Sequence, residues 1–163
     1  MPFTIESPGS FADLADLLPH LSRVTFTGDL GQMLSLDRRC NGRRKIWARK
    51  TWRSLMALES YAQARERGES TSGFWHYCQS GLAPISHHQV SVHESDQVQQ
   101  MWADQRTFAV PASVHPWGRV KMFAHIRIDN RPPAPRMYYL DRTAHGQGVL
   151  VGYIGAHLTT TRT

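Results

Sequence analysis

Cysteine is almost missing from this chain, with Cys40 and Cys78 the only two in 163 residues. Their spacing fits no zinc or redox motif, so neither a disulfide-built scaffold nor a Cys-rich metal module is expected. Acidic residues are scarce as well: 13 Asp and Glu stand against 19 Lys and Arg, a formal net charge of +6. Those carboxylates are dispersed, which argues against the clustered Asp and Glu of a metal-dependent nuclease. No run of 18 apolar residues occurs, and "MPFTIESPGS" lacks the positive and apolar regions of a secretory leader, so a cytoplasmic protein without membrane contact is expected. Also missing are G-x-x-x-x-G-K-[ST], G-x-G-x-x-G and G-x-S-x-G, which leaves nucleotide hydrolysis, dinucleotide redox chemistry and a hydrolase elbow without a motif. Finally, "SHHQVSVHE" gathers His87, His88, His93 and Glu94 at spacings that fit neither H-x-x-x-H nor a tandem Cys/His pattern. No metal and no cofactor are expected.

What the chain has is concentrated positive charge. The segment "RRCNGRRKIWARKTWR", residues 38 to 53, holds eight of the 19 basic residues: Arg38, Arg39, Arg43, Arg44, Lys45, Arg49, Lys50 and Arg53. Such a cluster attracts polyanions over a Debye length of about 8 Å. Nucleic acid is the expected partner, RNA favoured over DNA, with a protein partner as a further option. A solvated helix face is the plainer explanation, because Arg and Lys are good helix formers. Trp47 and Trp52 lie at helical spacing and read as core, with base stacking as their alternative use.

The organisation predicted is α+β in one domain, 1 to 163: a helical part over about 10 to 105 packed on a β-rich part over about 106 to 158. Ser10 is placed to cap a helix in "SFADLADLLPHL", ending near Pro19, and "RVTFTG" reads as a short strand. Between Arg43 and Arg67 there is no Gly or Pro, and Trp47, Leu55, Leu58, Tyr61 and Ala62 share one side of a long helix. Ser91 followed by Glu94 fits a capping box opening a helix through "ESDQVQQMWADQ". The runs "RVKMFAHIRI", "PRMYYLD" and "GVLVGYIGAHL" then read as an antiparallel sheet of three or four strands, since their connections are too short for parallel crossovers.

In "VKMFAHIRI" the alternation assigns Val120, Met122, Ala124, Ile126 and Ile128 to a core face, and Lys121, Phe123, His125 and Arg127 to the opposite one. One register of the next strand brings Arg136 and Tyr138 to the His125 face. Tyr153 and His157 have matching parity, unless a bulge at Gly152 or Gly155 reverses it. His125, His157, Arg127, Arg136 and Tyr138 are therefore the candidate catalytic group, and Lys121 joins the basic segment as a phosphate contact. Such a group has what metal-free RNA cleavage requires: a base for the 2′-hydroxyl proton, an acid for the leaving oxygen, and cations for the pentavalent phosphate. Histidine suits both proton roles because its unperturbed pKa is near 6.5.

A strand ending in "VGYIGAHL" after an Arg-Tyr strand resembles the C-terminal sheet of barnase-like and RelE-like ribonuclease toxins, in which a helical part precedes a twisted antiparallel sheet carrying the active residues. The resemblance covers residues 119 to 158, about a quarter of the chain, and implies an endoribonuclease. The sequence departs from the barnase-like pattern in having no glutamate on any of these strands; Asp141 is the nearest carboxylate, and its parity opposes Arg136. The expectation is a small metal-independent ribonuclease of toxin type, with a non-catalytic DNA- or RNA-binding module, or a subunit of a larger assembly, as its rival.

Overall fold

The computed structural model describes residues 6 to 70 and 72 to 160. Helices α1 (Phe11–Leu17), α2 (Leu30–Leu34), α3 (Arg44–Glu66), α4 (Phe74–Gln79) and α5 (Asp96–Met101) combine with two sheets. The larger sheet has the order β1 (Val24–Phe26), β7 (Val149–Gly155), β6 (Arg136–Asp141), β5 (His125–Arg127), β2 (Val90–Ser91), and the smaller pairs β3 (Thr107–Ala109) with β4 (Arg119–Lys121). The fold is thus α+β, as the element pattern predicts, with three differences. The larger sheet has five strands, with a second sheet of two, instead of one sheet of three or four. It is mixed, because β1 runs parallel to β7 while the other pairings are antiparallel. Helices and strands also interleave: β1 and β2 lie inside the stretch expected to be helical, and a 3-10 turn, Thr143–His145, interrupts the sheet part.

Local chemistry accounts for most boundaries. Ser10 accepts a hydrogen bond from the Asp13 N–H at 3.0 Å and caps α1. Helix α3 runs unbroken until Gly68, whose φ of +72° closes it: Gly68 N–H donates to the Arg65 carbonyl at 3.1 Å and Glu69 N–H to that of Ala64 at 2.9 Å. Its inner side buries Trp47, Leu55, Leu58, Tyr61 and Ala62, and Trp52 as well. Both tryptophans are core, which removes them as base-stacking surfaces. The buried Glu59 carboxylate accepts from the main-chain N–H groups of Ser22 (2.8 Å) and Arg23 (2.8 Å to the nearer oxygen), tying α3 to the start of β1.

The apolar side chains form two clusters. One contains the inner side of α3 together with Ile126, Ile128, Met137, Tyr139, Val149, Val151 and Ile154. The other, Val110, Met122, Tyr138, Leu150 and Tyr153, lies against the β3–β4 hairpin. Strand β7 is buried along its whole length, which explains its nearly continuous apolar run. "RVKMFAHIRI" is not one strand: it breaks after Lys121, so that β4 and β5 belong to different sheets. Met122 consequently joins Tyr138 and Tyr153 rather than Ile126, and Lys121 leaves the His125 face for an exposed position on the hairpin.

Candidate active site

Register decides whether the predicted group assembles. His125 pairs with Tyr138 and Tyr138 with Tyr153; Arg127 pairs with Arg136 and Arg136 with Gly155. This is the register in which Arg136 and Tyr138 share the His125 face. A bulge falls at Gly152, one of the two glycines where the alternation allows one: Tyr138 opposes Tyr153 and Tyr139 opposes Val151, leaving Gly152 extra. The bulge keeps Leu150 and Tyr153 on the same side despite their opposite parity. Gly152 is required by packing as well: a Cβ there would lie 2.7 Å from Met122 Sδ and from Phe108 Cβ, so only a glycine lets the hairpin press onto β7.

The carboxylate absent from the strands comes from the loop before α5. Glu94 is 8% exposed, and one of its oxygens accepts hydrogen bonds from Arg106 Nε at 3.0 Å and from the Tyr138 hydroxyl, with His125 Nδ1 3.8 Å away. It does not complete a capping box. Ser95 caps α5 instead, its hydroxyl oxygen accepting from Val98 N–H at 3.3 Å. Arg106 is fully buried beside the start of β3, and its Nη2 has no hydrogen-bond partner among the described residues. Sequence reasoning missed both residues. The signal available was Arg106 itself, a guanidinium entering an apolar strand, which needs a buried carboxylate.

His125 is 9% exposed, and its ring stacks on Tyr138 with centroids 4.8 Å apart. Its Nδ1 lies 2.9 Å from the Phe123 carbonyl, so the neutral ring carries its proton on Nδ1 and leaves the Nε2 lone pair free. Burial pushes its pKa below 6.5, with the Phe123 carbonyl and Glu94 opposing and Arg136 and Arg127 adding to the fall. Glu94 is held below the usual carboxylate range: Tyr138, His125 and Arg106 together outweigh the cost of burial. Burial also pushes the Tyr138 phenol well up, so it stays protonated and donates to Glu94.

His157 follows β7, with its N–H donating to the Pro133 carbonyl at 2.9 Å. Its Nδ1 is buried; burial, then Arg136, lowers its pKa, the Leu158 backbone opposes the fall, Arg106 adds to it and Glu94 opposes it. Both imidazoles thus respond to Arg136 and Glu94. Arg136 is mostly buried and directs Nη1 at the Asp129 (2.6 Å) and Pro135 (3.1 Å) carbonyls, and Nη2 at Asn130 Oδ1 (3.1 Å). Arg127 donates to the His88 carbonyl and is half-buried, as is His157. Tyr153 bends back over Gly155 and donates to the Ala156 carbonyl at 2.5 Å.

The basic segment meets this group through the loop at Asp129. Trp47 Nε1 donates to the Asp129 carboxylate at 2.7 Å, and Arg43 lies 3.8 Å from it, while the Asp129 carbonyl holds Arg136. Arg44 is 3.7 Å from Asp37. Arg38, Arg39, Lys45, Arg49, Lys50 and Arg53 are exposed, and none of them is within 4 Å of a carboxylate among the described residues. The His87 and His88 rings lie tilted against each other with centroids 4.0 Å apart; among the described residues no three His, Cys, Asp or Glu gather as a metal cluster would. No helix among them is long and apolar enough to cross a membrane. No family model, no curated protein and no solved structure matches the chain, so the likeness of residues 119 to 158 to the toxin sheet stands on those residues alone.

Proposed function

We propose that this chain is a small metal-independent endoribonuclease of toxin type. The observation that carries the reading is the Glu94 carboxylate set among Arg106, Tyr138 and His125 on the strand face that also bears Arg136. His125 Nε2 accepts the proton of a ribose 2′-hydroxyl, and the ionised Glu94 stabilises the imidazolium that forms. The 2′-oxygen forms the new bond to phosphorus and the bond to the 5′-oxygen breaks. His157 gives that oxygen its proton, leaving a 2′,3′-cyclic phosphate and a free 5′-hydroxyl. Arg127 and Arg136 offset the charge that builds on the phosphoryl oxygens, while Arg106 holds Glu94. Burial is the main cause that depresses His157, and the arriving phosphate counters the lesser contribution of Arg136 and Arg106, favouring the protonated form an acid needs. Tyr138 acts by positioning Glu94.

Arg38, Arg39, Arg43, Arg44, Lys45, Arg49, Lys50 and Arg53 hold the RNA backbone on this reading. With about six phosphate contacts, affinity for single-stranded RNA falls roughly three-hundredfold between 50 and 200 mM salt. The test is incubation of RNA with the purified chain in EDTA and identification of the new ends. Cyclic phosphate and 5′-hydroxyl ends are expected. RNA left intact, or cut only after a divalent cation is added, overturns the proposal.

A second reading rests on the burial of the same network. Glu94, Arg106 and Tyr138 are each less than a tenth exposed, as expected of a structural tie in a non-catalytic DNA- or RNA-binding module. That module would retain RNA without cutting it.

A further inference from the structure

The β3–β4 hairpin carries an outer surface that the basic segment does not include. Trp117 is 86% exposed, the largest exposure among the large apolar side chains described. Arg119 and Lys121 follow at alternate positions and are also exposed, while Val120 between them turns toward the second apolar cluster. His115 meets the Trp117 ring edge-on at 5.5 Å. Together with Asp104, Thr107 and Val120 these residues line a recess of about 530 Å³. Arg119 is braced by a 2.7 Å hydrogen bond from Nη2 to the Thr107 carbonyl.

This surface grows directly out of the candidate site. Arg106, which holds Glu94, is the residue before β3; its carbonyl accepts from Met122 N–H at 2.8 Å, and Lys121 pairs with Thr107. From that base the outer side of the hairpin runs Lys121, Arg119, Trp117. A row of cations leading from a phosphate-handling site to a bare indole has the composition of a single-strand track, where cations follow the phosphates and an aromatic face takes a base. A duplex offers no unstacked base to such a ring.

We propose that Trp117, Arg119 and Lys121 form a subsite for single-stranded RNA flanking the cleaved bond, with one unpaired base stacked on Trp117. Asp104 faces the same recess and supplies an acceptor for a base amino group. The proposal rests on the ribonuclease reading for the position of the cut, and two measurements separate them. The first uses the full chain and its Trp117→Ala and Trp117→Phe variants on a single-stranded decamer and on a dinucleotide. Trp117→Ala is expected to lower kcat/KM on the decamer about tenfold, or about 1.4 kcal/mol, within the range for one stacked base. Cleavage of the dinucleotide should be unchanged, and Trp117→Phe should keep most of the decamer rate. An unchanged decamer rate, or an equal loss on both substrates, overturns the subsite.

The second measurement is binding of a 2′-O-methyl decamer, which cannot be cleaved, alone and annealed to its complement. Wild type should prefer the single strand, and Trp117→Ala should lose about tenfold in affinity for it. That result upholds the subsite even where no RNA is cut. Equal affinity for strand and duplex, or no effect of the substitution, sinks it whether or not cleavage occurs.

Discussion

Glu94 and Arg106 form the most consequential pair of side chains in the molecule, since each is buried and each would be costly alone. Tyr138 shares the load by donating its hydroxyl to Glu94. Replacing Tyr138 with Phe removes that donor without changing the packing, and should cost about 1.5 to 3 kcal/mol, the range for a hydrogen bond to a charged group. Urea unfolding measures it, and a loss below about 0.5 kcal/mol would contradict the network. The histidines make a separate prediction. Burial holds His125 and His157 below their unperturbed 6.5, so the unfolded chain binds protons near that pH that the folded chain does not. Stability should therefore fall as pH drops through about 6.5 toward the lower folded values, by at most about 1.4 kcal/mol per pH unit for each ring. The lowered carboxylate of Glu94 adds its own loss only below about 4.5. Urea midpoints from pH 7.5 to 5.5 should decline, less steeply in His157→Gln; a flat or rising series contradicts burial of the neutral rings. At this scale the sequence was partly legible. His125, Arg127, Arg136 and Tyr138 follow from alternation, whereas Glu94 sits in a loop, where no period announces which way a side chain turns.

Among the elements, α3 separates its roles along its length. Its inner side is core, while Lys45, Arg49, Lys50 and Arg53 stay exposed and form no ion pair among the described residues. Reversing Arg49 and Arg53 to Glu should leave stability within about 0.5 kcal/mol, as for surface changes generally. It should weaken single-stranded RNA binding at low salt and flatten the log–log salt dependence by about 1.4, or about 0.7 per phosphate contact. Unchanged affinity in a mobility shift at 50 mM salt would make α3 a solvated face only. Helix α3 was readable because 25 positions without Gly or Pro carry a single apolar period. The β3–β4 hairpin was not, because the break at residues 122 to 124 falls inside an unbroken alternation and only tertiary contact at Gly152 demands it. Strand β1 was recognised but its parallel partner was not, since pairing across more than 120 residues leaves no local mark.

For the whole molecule, the fold brings together the buried Glu94, Arg106, Tyr138 and His125 network, a loop at Asp129 that touches both Arg136 and the basic segment, and a hairpin that carries the exposed Arg119 and Lys121. The ribonuclease proposal requires that this group cut RNA as well as bind it. Its most direct measurement is single-turnover cleavage of labelled RNA in EDTA by wild type and His125→Ala, with bound fraction read from the same samples. Wild type should cut and the variant should lose at least a hundredfold in rate at equal occupancy. RNA retained by both proteins and cut by neither would contradict the claim and leave a binding module in its place.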